Sequence, residues 1–127
     1  MRRAMIVTAA VLVCALAVCA VSQAALDRAV SRAQALHARA LEAVEADRTE
    51  QAAALLGELI EFWENRASAL EKFVGHDALH EVAAALAEAR ICLACRDHDD
   101  FLRTMSTARM GLEHLRDEEA LSWENLY

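Results

Sequence analysis

The sequence predicts an all-α protein: an N-terminal transmembrane helix that continues into a small up-down antiparallel bundle of about four helices. Composition is the first observation. The 127 residues include no proline and only Gly57, Gly75 and Gly111. Alanine, leucine, glutamate and arginine dominate, and all four lose little on entering a helix. Periodicity is the second, since apolar residues recur at three- and four-residue intervals along the whole chain. The third is a stretch without charge, residues 4–25, whose only polar members are Thr8, Ser22 and Gln23. The length suits one small domain. Residues 1–25 therefore read as a membrane anchor and residues 26–127 as an acidic helical bundle domain.

The first element opens with Arg2 and Arg3 and then runs apolar for about the ~20 residues needed to cross a ~30 Å hydrocarbon core. A cleaved signal peptide is the alternative. It needs an apolar stretch of only ~7–15 residues and a small-x-small cleavage site, which Val18-Cys19-Ala20 or Ser22-Gln23-Ala24 supplies. The longer run and the unbroken helical pattern beyond it favour an anchor. Cys14 and Cys19 read as small hydrophobes, because Val13 and Val18 stand where a lipidated cysteine needs a small residue. Arg2 and Arg3 favour a cytoplasmic N-terminus, which places the acidic domain outside the cytoplasm. Arg28, Arg32 and Arg39 pull the other way, partly offset by Asp27.

Leu26, Val30, Ala33, Leu36, Ala40, Leu41 and Val44 carry the apolar stripe on to about residue 46. Asp47 or Thr49 then caps a second helix bearing Ala52, Leu55, Leu56, Leu59, Phe62, Trp63, Leu70 and Phe73. Gly75 is expected to close it in the left-handed conformation, with Asp77 capping the third. That helix carries Leu79, Val82, Leu86, Ala89 and Leu93. Asp97-His98-Asp99-Asp100 opens the fourth, which carries Phe101, Met105, Ala108, Leu112 and Leu115. It is expected to end near Asp117, with the tail bearing Trp123 and Tyr127 folded back. Asp47 and Asp97 open similar turns 50 residues apart, but the surrounding residues do not match a tetratricopeptide pattern.

Charge excludes one class of function. Every acid follows the apolar run, so beyond residue 3 there are 11 basic and 20 acidic residues, a balance of −9. Nucleic-acid binding needs the opposite sign. The residues that suggest a metal are His76 and His80, spaced i, i+4, with His98 and the C-x-x-C of Cys92 and Cys95. Sixteen residues separate His76 from Cys92 on one helix, about 24 Å at ~1.5 Å per residue. One zinc ion cannot span that. Antiparallel pairing of the third and fourth helices makes a different set, His76, His80 and His114, the better metal candidate. The same pairing brings His76 to Glu118 or Glu119. A buried pair there would fix two helix ends, and removing one partner would cost roughly 1–3 kcal/mol. Cys92 and Cys95 are the redox candidates, and Trp63 is the expected core anchor. No nucleophile, oxyanion site or phosphate loop is evident, so no enzyme activity and no cofactor are expected.

Trp63, His76, Leu79, Glu119, Leu121, Ser122 and Asn125 together resemble a clostridial, Firmicutes domain-of-unknown-function family of short proteins with one N-terminal membrane-spanning segment. The resemblance implies a membrane-associated helical protein and no particular activity, and it adds Asn125 as a hydrogen-bonding neighbour of the His76 and Glu119 pair. The expected function is a non-enzymatic interaction or structural module for another membrane or envelope protein, with the membrane itself as the other partner. A metal-binding or redox-sensing domain is the alternative.

Overall fold

A computed structural model describes the backbone of residues 1–72 and 74–125, and the side chains of residues 1–72 and 74–118. Four helices follow in order: α1 (Arg2–Glu45), α2 (Thr49–Leu70), α3 (His76–Ala94) and α4 (His98–Asn125). Each packs on the next and α4 packs on α1, while among the described residues the diagonal pairs do not meet. The body is thus a closed four-helix ring, as the short turns require.

α1 has 44 residues, about 66 Å of helix. It is exposed throughout residues 2–21. Packing begins at Leu26 and continues through Ala29, Val30, Ala33, Leu36, His37, Ala40 and Ala43. Leu41 and Val44 are half-buried, on the flank of that stripe.

The α1–α2 turn differs from the expected cap. Asp47 caps nothing; it holds the left-handed position with φ 59°. The Arg48 N–H donates to the Ala43 carbonyl at 2.8 Å and the Asp47 N–H to that of Val44 at 3.1 Å. These are the two bonds of a Schellman closure, and aspartate's short polar side chain tolerates its left-handed residue. The same closure recurs at the end of α3. Arg96 has φ 58°, the Asp97 N–H reaches the Cys92 carbonyl at 3.0 Å, and the Arg96 N–H reaches that of Leu93 at 3.2 Å. Asp47 therefore corresponds to Arg96, not to Asp97. Asp97 does cap α4, its Oδ1 accepting the Asp100 N–H at 3.2 Å.

Gly75 also departs from expectation. Its φ of −57° and ψ of 131° are extended, and it precedes α3 as the N-cap. Asp77 lies inside the first turn of α3 without a capping bond, where its charge still complements the helix dipole. Phe73 lies outside the described residues. α4 does not stop near Asp117 or fold back; it remains helical to Asn125. Residues 117–121 are acids followed by alanine and leucine, which disfavour a C-terminus only weakly and contain no breaker. Leu126 and Tyr127 and the side chain of Trp123 lie outside the described residues.

The core is Leu-rich, with Trp63 and Phe101 its largest members. Trp63 is fully buried, and its indole N–H donates to the Leu79 carbonyl at 3.1 Å, joining α2 to α3. Arg116 of α4 reaches the Ser31 hydroxyl of α1 at 2.7 Å and Asp27 at 4.0 Å.

Two glycines give opposite tests of this packing. A Cβ on Gly111 would lie 2.8 Å from Val82 Cγ2, whereas one on Gly57 would meet nothing within 4 Å. Val82 is buried and stiff about χ1. Overpacking costs ~1–3 kcal/mol, which outweighs the ~1 kcal/mol that alanine gains in helix propensity. Gly111→Ala should lower the melting temperature. Gly57→Ala should stabilise the fold by about 0.5–1 kcal/mol. Thermal melts of both variants check the pair, and a Gly111→Ala chain as stable as the parent would reject the close α3–α4 approach.

Candidate functional site

Two polar side chains are buried among the described residues, and the one that joins two helices is a histidine that the apolar pattern of the sequence does not single out. His37 of α1 is only 4% exposed. Its Nε2 lies 2.7 Å from the Met105 carbonyl of α4. A carbonyl only accepts, so Nε2 carries the hydrogen and donates. Burial lowers the His37 pKa from its ordinary value, the Arg109 guanidinium lowers it further, and the Met105 bond opposes both. The neutral ring therefore pins α1 to α4 halfway along their contact. Thr104, the other buried polar residue, bonds locally to the Asp100 and Phe101 carbonyls.

His76 and His80 do come together. Their rings stack with centroids 5.7 Å apart and planes 15° from parallel. The partner of His76 is Glu71, just beyond the end of α2, at 2.8 Å. This pair is exposed, so it contributes well under the cost of a buried pair. Glu119 and Asn125, the expected partners, have side chains outside the described residues. His114 pairs along its own helix with Glu118 at 2.9 Å. The α3–α4 register also differs from the simple turn arithmetic. Val82 faces Gly111 rather than residue 114, because the Schellman turn at Arg96 is tighter than a turn centred on Asp97 to Asp100. Among the described residues, no three His, Cys, Asp or Glu side chains converge as metal ligands. His76, His80 and His114 thus form no cluster there.

Cys92 and Cys95 are both free, Cys92 half-buried and Cys95 exposed. They lie at the far end of the bundle, and Cys92 lines a cleft of about 360 Å³ between the two Schellman turns with Val44, Asp47, Arg96 and Phe101. Desolvation pushes the Cys92 thiol above its ordinary value, and Asp100, Asp97 and Glu88 add to it. Such surroundings suppress the reactive thiolate.

His37 makes the fold pH-dependent. Its pKa is lower folded than unfolded, so the unfolded chain binds the proton more readily. The stability from the neutral ring is complete above pH ~6.5 and is lost as pH falls through that value toward the lower folded pKa. The slope is at most ~1.4 kcal/mol per pH unit. His37→Ala should cost about 1–3 kcal/mol at pH 7.5 and should flatten this part of the pH profile. Chemical denaturation of both chains at pH 5.0 and 7.5 measures it. An identical pH slope in the variant would show that His37 is not the titrating group.

No curated protein and no solved structure matches the chain. A family profile described as domain of unknown function (DUF4363) matches residues 20–126. That match begins inside the apolar run of α1 and takes in the whole helical ring, and the chain belongs to this family.

Proposed function

We propose that the chain is a single-pass membrane protein whose acidic bundle is a non-catalytic module that binds or supports another membrane or envelope protein. The observation that carries this reading is the two-part exposure of α1. An 18-residue window near its start has a mean hydropathy of 2.8 and no buried residue, while the residues after position 25 are committed to the core. The core of the bundle accounts for none of that apolar surface, and a contiguous apolar surface of this size needs a non-aqueous environment. The uncharged run also exceeds what a signal peptide requires.

Support for a non-catalytic role comes from the polar groups. Among the described residues the buried polar side chains are His37 and Thr104, and both are hydrogen-bonded to backbone carbonyls, while the exposed His76 and His114 pair with carboxylates. Arg2 and Arg3 before the run favour an extracytoplasmic bundle, and the acidity of that bundle suits a partner with a basic face.

Three measurements test the proposal. The chain should resist alkaline extraction from membranes and keep its full-length mass; an N-terminus at residue 21 or 25 would mean a cleaved signal instead. In intact cells an impermeant maleimide should label Cys95, which is exposed on the bundle; protection until the membrane is opened would reverse the orientation. Affinity purification from solubilised membranes should return the same membrane or envelope protein repeatedly, and consistent recovery of the chain alone would count against an interaction module.

A further inference from the structure

Where α1 leaves its apolar run, it does not lie flush against the end of α2. An apolar groove of about 380 Å³ runs between them, lined on α1 from Ala17 through Val21 and Ala25 to Ala29, and on α2 by Ala69 with Arg66 at its bundle end. Ala17, Ala25, Ala29 and Ala69 leave the groove open. From Ala17 to Ala29 its α1 side is about 18 Å long at ~1.5 Å per residue, while the α2 side is the last turn only, Arg66 to Leu70, about 6 Å. The rest of the groove opens toward the apolar run. A single hydrocarbon chain fits such a furrow, since its carbons need only ~3.5–4.0 Å to the atoms they touch.

Arg66 supplies the second half of the argument. Its guanidinium lies 5.5 Å over the Phe62 ring. Among the described residues it joins none of the ion pairs that engage Arg32, Arg103 and Arg116. It stands one helical turn bundle-ward of Ala69, at the level of Ala29 rather than of the apolar run. The headgroup layer on each side of a bilayer is roughly 5–7 Å thick, about one turn of helix. Arg66 therefore falls in that layer, while the groove below it descends about as far as one leaflet's ~15 Å of hydrocarbon.

We propose that this groove holds one acyl chain of a membrane phospholipid whose phosphate is bound by Arg66. The proposal rests on the membrane reading above. An arginine fork suits a phosphodiester, and the groove opens directly onto the span, so the lipid enters from the bilayer without crossing water. Arg66 is the cation among the groove's lining residues, and the bundle as a whole is acidic, so the phosphate, not a net negative headgroup, is what the site recognises.

The test is native mass spectrometry of the full chain in mild detergent, titrated with phosphatidylcholine, with diacylglycerol and with inorganic phosphate. The expected result is one phosphatidylcholine per chain and no retained inorganic phosphate. Ala25→Leu and Ala69→Leu, which fill the groove from its two walls, should each cut the bound fraction at least about tenfold. Arg66→Gln should weaken phosphatidylcholine about tenfold and leave diacylglycerol unchanged. Unaltered retention in both leucine variants would overturn the proposal, as would binding of phosphate alone. A dimer mass that the leucine variants abolish would overturn it in favour of a second copy of the chain. Flotation with phosphatidylcholine vesicles separates the two levels of failure. A chain that does not float refutes the anchor itself; one that floats but retains lipid equally in all variants refutes only the groove.

Discussion

Everything in this protein hangs on α1 being one uninterrupted helix in two surroundings. No proline or glycine occurs within it, so nothing sets the apolar part at an angle to the packed part. α1 and α3 stand at opposite corners of the ring, and α1 touches both α2 and α4. A tilt or rotation of the apolar part of α1 is therefore delivered first to those two neighbours, and to α3 only through them. The groove residues of α1 face Ala69 and Leu70, so α2 ends about where the uncharged run of α1 ends. The α2–α3 connection then turns back at that level. The ring is built to the height of the charged part of α1.

The helices were legible in the sequence because each carries a complete apolar stripe and nothing in their interiors breaks them. Leu79, Val82, Leu86 and Ala89, like Phe101, Met105, Ala108, Leu112 and Leu115, are all in the core. The turns were less legible. Asp47 was read for its capping chemistry, yet what decides its role is the hydrogen bonding of its neighbours. Once the Ala43 carbonyl takes the Arg48 N–H, residue 47 must be left-handed, and aspartate becomes the conformational element rather than the cap. Gly75 is the converse. Its composition suggested a left-handed closure, but the link from Leu70 spreads the reversal over several residues and leaves Gly75 extended.

The site was the least legible part, and His37 shows why. Leu26, Val30, Ala33, His37, Ala40 and Val44 follow alternating steps of four and three, the spacing of an inward seam. Phase alone would have placed the ring in the core, but a reading that selects apolar letters steps over the one polar member. His76 has a partner that matching levels on two helices does not reveal. Glu71, five residues back along the chain, lies 2.8 Å from its Nδ1, while the Glu119 side chain lies outside the described residues. Level is set by helix rise, but contact is set by face, and exposed histidines find acids on their own side.

The continuous rod also changes the weight of one argument about processing. A core helix crossing the cleavage point would make cutting near Ala24 destructive. Packing in fact starts at Leu26, so a cut there would remove no fully buried side chain and the ring would keep its core. The case for retaining the segment therefore lies outside the core. It lies in the length of the run and in the wall that Ala17, Val21 and Ala25 give the groove beside α2. A segment that served only as an address would have no reason to shape a channel with a helix of the mature domain. Here the last two turns of the apolar run and the last turn of α2 make that channel jointly, and Arg66 is the cation that lines it.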